Sequence, residues 1–140
     1  MIELATSATP ELEAAFARLI PQLSSAQPMD IEQIEQLIAQ QAIDLLLYKD
    51  EDEIQGMLTL VTFTIPTGVR AWIEDVVVDD AARGKGAGRA LVEAACDLAT
   101  KRGAKTVDLT SRPSREAANR LYQRCGFEAR QTNVYRYAGK

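Results

Sequence analysis

The rhythm of hydrophobic and polar positions changes several times along this chain. "IELAT" (2–6) alternates as a half-buried strand does. Thr9-Pro10 then gives a helix start, an N-cap residue followed by proline at the first helical position, and Leu12, Phe16, Leu19, Ile20 and Leu23 recur at helical spacing until Pro21 ends or bends the run. Asp30 with Gln33 has capping-box spacing and opens a second helix whose apolar face is Ile31, Ile34, Leu37 and Ile38. The period then shortens. "IDLLLY" (43–48), "IQGMLTLVTF" (54–63) and "VRAWIEDVVV" (69–78) read as three strands of an antiparallel meander, joined by turns at "KDEDE" and "PTG".

Helical spacing returns at Leu91, Val92, Ala95, Leu98 and Ala99, and Gly103 is the expected stop. "KTVDLT" (105–110) predicts a fifth strand, and Ser114 can cap a last helix carrying Ala118, Leu121, Tyr122 and Cys125, ended by Gly126. "FEAR" and "VYRYA" predict two closing strands. The order is βααβββαβαββ, an α/β chain with an α+β mixed sheet and one βαβ crossover. Without repeat, low-complexity tract or linker, it reads as a single domain over residues 1–140.

Composition adds exclusions. The chain has 46% hydrophobic and 26% charged residues, as an ordinary globular domain does, and its net charge of −4 argues against a nucleic-acid partner. Two cysteines, Cys96 and Cys125, each in a helical pattern, predict buried thiols rather than a disulfide framework. The N-terminal residues have no export-signal pattern and no stretch reaches membrane-spanning length, so the expectation is a cytoplasmic protein with no membrane partner. There is no histidine, which removes Ser-His and Cys-His nucleophile pairs and most zinc enzymes. Acid–base chemistry falls to Asp, Glu, Tyr, Lys, Cys or water.

The candidate chemistry centres on "RGKGAGRALV" (83–92). Three glycines at alternate positions just ahead of a helix, with Arg83, Lys85 and Arg89 among them, make an anion cradle from freed backbone N–H groups and the helix dipole. A phosphate or pyrophosphate is the natural guest. The spacing fits neither G-x-x-x-x-G-K-S/T, since Asp79 and Gly86 occupy the wrong positions, nor G-x-G-x-x-G, since Arg89 stands where the third glycine belongs.

Arg83-Gly84-Lys85-Gly86-Ala87-Gly88 resembles the Q/R-x-x-G-x-G/A signature of the GNAT superfamily of acetyl-CoA-dependent N-acetyltransferases, and "LYQRCGF" resembles its second signature, L-Y-x-x-x-G-F. The motifs stand in the family's order and at its distance, so the resemblance spans essentially the whole chain. It implies a GNAT-like fold whose central strands splay apart and acetyl-CoA as cosubstrate, with no metal. The pyrophosphate is then expected on the loop of Arg83, Gly84, Lys85, Gly86, Ala87, Gly88 and Arg89, and the pantetheine arm along the backbone of Val76, Val77 and Val78. Two positions depart from the family pattern: Arg115 replaces a common asparagine and Asp80 a common proline.

Acetyl transfer to an amine needs a neutral nitrogen, whereas an alkylamine of pKa about 10.4 is neutral in only about one molecule in two thousand at pH 7. Glu74, on the fourth strand beside Asp75, is the candidate base, directly or through water; "IEDVVV" resembles the corresponding strand of polyamine and glucosamine-phosphate acetyltransferases. A regular pleat sends Glu74 and Asp75 to opposite faces, and the competing reading pairs Glu74 with Arg70. Tyr122 is the candidate hydrogen-bond donor or acid for the departing thiolate, although full proton transfer is uphill by roughly 2 kcal/mol at reference pKa values. A core tyrosine is the competing reading.

Trp72 and Asp75, with Asp44 and Glu74, form a candidate pocket for a small cationic amine. The run Asp50 to Glu53 reads as a solvated hairpin turn. Thr110, where N-terminal acetyltransferases of the family often carry glutamate, weakens a protein-acceptor reading. The expected activity is acetyl transfer to a primary amine of a small molecule by direct attack in a ternary complex. Alternatives are a protein N-terminal or lysine acetyltransferase and an inactive CoA-binding regulatory domain, and a homodimer is compatible with each.

Overall fold

The first two helix starts are set by local chemistry in the computed structural model, which describes residues 1–139. Helix α1 (Pro10–Leu19) begins where the Thr9 hydroxyl accepts the Leu12 amide, with proline in the first turn. It gives way at Pro21 to a 3-10 turn, Ile20–Gln22. Helix α2 (Ile31–Ala39) has the full capping box: the Asp30 carboxylate accepts from Gln33 N and the Gln33 side chain accepts from Asp30 N, each at 2.9 Å.

The chain divides into two units, Met1–Thr110 and Ser111–Lys140. The first carries a five-stranded mixed sheet in the order β1 (Ile2–Leu4), β2 (Ile43–Asp50), β3 (Glu53–Ile65), β4 (Gly68–Val78), β5 (Thr106–Asp108). Neighbours are antiparallel through β4, and β5 is parallel to β4. The β2–β3 hairpin turns at Glu51 and Asp52, both at positive φ, so the acidic run is the solvated turn expected. Helix α3 (Ala87–Lys101) makes the crossover between β4 and β5 and ends at Gly103, whose φ of 87° suits the left-handed C-terminal position.

Alternation along β3 splits the core in two. Met57 joins Leu12, Phe16, Leu19, Ile34, Leu45 and Leu47 in a cluster under α1 and α2. Leu58 and Leu60 point the other way, toward α3, where Leu91 packs over Gly56. On α3 the buried positions are Ala87, Leu91, Val92, Ala95 and Ala99, whereas Leu98 is half-buried. A sheet buried on both faces explains the near-continuous apolar runs "LLL" and "MLTL".

The second unit contains α4 (Glu116–Arg124). Its N-cap is Arg115 without a side-chain cap, so Ser114 does not cap this helix. Gly126 follows it at φ 96°, as expected. "FEAR" and "VYRYA" form no strand: the described segment after Phe127 has no regular secondary structure and is exposed, with Val134, Tyr135 and Tyr137 largely in solvent. Alternation gives strand propensity, but a strand also needs a hydrogen-bonding neighbour. Cys96 and Cys125 are half-buried rather than buried, since each sits at the margin of its helix's inner face.

Candidate active site

The site begins with an irregularity in β4. Thr59 pairs with Glu74 and Met57 with Val77, so Asp75 and Val76 together oppose Leu58, and Asp75 adopts φ 51°. This is a β-bulge, and it reverses the phase of the strand. Ala71 and Ile73 are buried on the α3 side; in a regular strand Val77 would follow them, but it packs instead in the α1/α2 cluster. The bulge interrupts the regular alternation after Glu74, so that Asp75 and Val76 stand opposite Leu58 and Val77 returns to the face of Glu74. Both acidic residues are exposed, Glu74 on the face it shares with Thr59 and Trp72, and Asp75 at the bulge itself. Holding a non-glycine residue in the left-handed region costs about 1–2 kcal/mol, least for Asp and Asn.

The other edge of β4 opens at the same place. Pairing with β5 covers Arg70↔Thr106, Ala71↔Val107 and Trp72↔Asp108 and ends there, while β4 runs on to Val78. From Ile73 onward that edge has no β5 pairing among the described residues, since β5 ends at Asp108. The backbone beside Val76, Val77 and Val78 can thus accept an extended ligand as a strand would.

β4 delivers the chain into the glycine loop. Asp79 starts a 3-10 turn, Asp80–Ala82, and Gly84 and Gly86 follow at φ 87° and 78°, Gly86 being the N-cap of α3. Such φ values call for glycine. A Cβ at either position would meet nothing within 4 Å, so the glycines answer to backbone conformation and not to packing. Gly88 lies in the first turn of α3. The contrast with the other helices is informative: α1 and α2 have side-chain caps and acidic residues in the first turn, whereas α3 has neither. Its first amides, from Ala87 to Arg89, and its dipole are left for an anion, an interaction of about 0.3–1 kcal/mol per charge at an exposed site.

The three basic side chains of the loop are exposed and held by carboxylates. Arg83 pairs with Asp80 at 2.9 Å, Lys85 with Asp50 at 3.1 Å, and Arg89 with Glu93 at 3.5 Å. The hydrogen bond to Asp50 raises the Lys85 pKa, so the ammonium stays charged. Exposed pairs contribute little and exchange readily, which keeps these cations available to a phosphate.

Glu74 makes no ion pair among the described residues, and the Arg70 guanidinium turns to the Thr67 hydroxyl at 3.2 Å. Asp44 does not belong with Glu74. It pairs with Leu60, on the α3 face, and receives two hydrogen bonds from Arg102 at 2.8 and 2.9 Å. Trp72 is half-buried on the Glu74 face, with Asp108 directly opposite on β5, a residue the sequence reading passed over.

In the second unit Tyr122 is buried, its ring centroid 6.1 Å from that of Phe127. Burial pushes the phenol above its ordinary pKa, against the opposing field of Arg115. The lowered value that full proton transfer would require is not what its surroundings produce. A phenol kept protonated in this way can donate a hydrogen bond.

A further set of residues gave no motif. Arg18 and Gln22, at the end of α1 and in the turn after it, both bond the Asp79 carboxylate, 61 and 57 residues away. Such contacts depend on helix rotation and sheet register, which no local pattern encodes.

Residues 10–127 match the acetyltransferase (GNAT) family, and the chain belongs to it. It is thereby an acyltransferase by family. Similar solved structures include an aminoglycoside acetyltransferase from an uncultured soil metagenomic sample (TM-score 0.84, 20% identity, covering 100% of this chain and 95% of the other). Another is glucosamine-6-phosphate N-acetyltransferase from Arabidopsis thaliana (TM-score 0.82, 20% identity, 99% of each chain). A third is ribosomal-protein-alanine N-acetyltransferase from Brucella melitensis biovar Abortus 2308 (TM-score 0.76, 24% identity, 98% and 99%). No curated protein sequence matches the chain significantly. Among the described residues, no helix is long and apolar enough to cross a membrane.

Proposed function

We propose that the chain acts as one domain over residues 1–140 that transfers the acetyl group of acetyl-CoA to a primary amine of a small molecule, within a ternary complex. The observation that carries this reading is the start of α3: an uncapped helix without first-turn acid, entered through Gly84 and Gly86 in left-handed conformations, directly after a strand whose edge lacks a partner. Loop amides from Arg83 to Arg89 fit a pyrophosphate, and the open edge at Val76, Val77 and Val78 fits a pantetheine amide chain.

Glu74 is exposed and without an ion pair, free to take the ammonium proton directly or through water. The neutral nitrogen then attacks the thioester carbonyl; a C–N bond forms, the C–S bond breaks while the Tyr122 hydroxyl donates a hydrogen bond to the departing thiolate, and the proton the nitrogen sheds on becoming an amide passes to that thiolate, directly or through water. Trp72 and Asp75 offer an aromatic face and a second carboxylate to a cationic acceptor. Two of the three structural relatives are named for an aminoglycoside and for glucosamine-6-phosphate, which supports a small acceptor.

The test is thiol release from acetyl-CoA across a panel of amines, including amino sugars, polyamines and N-terminal peptides. Small amines are expected to turn over; turnover of peptides alone would overturn the acceptor class, and silence across the panel would overturn the activity. On a good acceptor, Glu74→Gln is expected to lower kcat/KM most near neutral pH and to recover partly at alkaline pH, where free amine exists without a base. An equal loss at every pH would assign Glu74 to positioning instead.

A further inference from the structure

Asp79 is bonded through both its backbone and its side chain. Its amide donates to Gln55 O at 2.8 Å, and its carbonyl accepts from Ala82 N at 2.8 Å. The side chain, only 14% exposed, accepts from Ala81 N at 3.1 Å, Gln22 Nε2 at 3.4 Å and Arg18 Nε at 3.2 Å. Arg18 also donates to Ile54 O, and Gln22 both donates to Arg18 O at 3.2 Å and accepts from Asp80 N at 2.9 Å. Arg18 and Gln22 thus tie three things together: the end of α1, the backbone at the start of β3, and the first two residues after β4.

Those two residues lead into the glycine loop. Gly84 and Gly86 are free to take many conformations, and the side chains around them form only exposed, exchangeable pairs. The order of the loop therefore has to come from its ends. One end is α3; the other is the Asp79 clamp. An anion cradle works only if its amides already converge, because ordering a loop at the moment of binding is subtracted from affinity.

We propose that Arg18 and Gln22 are positioning residues for the glycine loop: through Asp79 and Asp80 they hold it in the conformation that receives the coenzyme pyrophosphate. This rests on the coenzyme reading above. It assigns a role in donor recognition to the end of α1 and the turn after it, whose sequence carries no donor-binding motif.

The experiment compares two acetyl donors on the full chain: acetyl-CoA, and S-acetylpantetheine, which has the thioester arm but no pyrophosphate. Arg18→Ala is expected to raise the Kd and KM for acetyl-CoA about tenfold, with kcat/KM for S-acetylpantetheine within about twofold of wild type. Gln22→Ala, at an exposed position, should shift acetyl-CoA in the same direction by about threefold. Arg18→Lys should recover part of the loss, since an ammonium can pair with Asp79 but does not reproduce the second bond to Ile54 O. Arg102→Ala, which breaks a comparable long-range pair with Asp44, should leave acetyl-CoA affinity unchanged.

Equal losses on both donors, or an equal loss in Arg102→Ala, would reduce Arg18 to a stability element and overturn the inference. Unchanged acetyl-CoA affinity in Arg18→Ala and Gln22→Ala would also overturn it, leaving the coenzyme reading intact. Wild-type protein that binds no acetyl-CoA would instead overturn that reading and the inference with it.

Discussion

Gly86→Val separates what the glycine loop does for the fold from what it does for the ligand. The backbone there sits at φ 78°, where an L-residue is strained, but an added Cβ would meet nothing within 4 Å. The folded protein without ligand therefore loses the strain alone, about 1–2 kcal/mol, which for a domain of this size lowers Tm by about 3–8 °C. Ligand binding should lose far more, because a branched side chain at the N-cap of α3 occupies the approach to the amides of Ala87 to Arg89. Wild-type protein with acetyl-CoA at about 100 times its Kd gains about 2.7 kcal/mol, a shift of the order of 8 °C, and the variant should gain none. Differential scanning fluorimetry with and without acetyl-CoA, backed by calorimetric titration, measures both numbers. A full ligand shift in the variant would show that this loop is not the cradle. A Tm loss well beyond the strain would show that the space around Gly86 is not open.

Tyr122→Phe should lower kcat about 10- to 100-fold, the value of one hydrogen bond to a developing charge, with acetyl-CoA affinity unchanged. Because burial raises the phenol's pKa, wild-type kcat should show no loss from tyrosine ionisation below about pH 10; an alkaline limb near pH 8–9 that disappears in Tyr122→Phe would contradict this. Asp79 is depressed, chiefly by the Ala81 amide and then by Gln22 and Arg18, so its ionised form contributes stability that is full above the ordinary carboxylate pKa and lost as pH falls through the lowered one. Asp79→Asn should then cost about 1 kcal/mol at neutral pH, and the Tm gap to wild type should close below about pH 4; a gap constant down to acid pH would refute the assignment.

Much of this was legible because it is local. Thr9-Pro10, Asp30 with Gln33, and Gly103 specify helix ends through bonds made within a few residues, and each formed as read. The glycine loop was legible for the same reason, since positive φ at Gly84 and Gly86 is a local demand. Features that depend on distant partners were not. The bulge at Asp75 has no sequence mark, because an inserted residue in a strand looks like any other until its partner Leu58 is known. The misplacement of Asp44 follows from the same limit: grouping acids by charge alone ignores that Leu60, its partner, faces α3. The closing strands failed in the opposite sense, local alternation without a neighbour to pair with.

Outside the solvated hairpin turn at Glu51 and Asp52, conformational cost gathers in one short run of the chain, and this is the physical argument for where the chemistry lies. From Asp75 to Gly86 the backbone accepts a left-handed aspartate, two left-handed glycines and a helix start with no cap. The bulge at Asp75 turns Val77 into the core, whereas a Cβ at Gly84 or Gly86 would meet nothing within 4 Å, so no packing requires the conformation of the loop. The same chain caps α1 and α2 fully and fills both faces of the sheet with large apolar side chains, so it is not a sequence indifferent to stability. A fold that caps α1 and α2 and yet brings a strained strand residue, two left-handed glycines and an uncapped helix start together in one run is holding that run ready for something absent from the folding balance. The Arg18–Asp79–Gln22 clamp sits at the middle of this run, where a loop of low intrinsic order would otherwise relax.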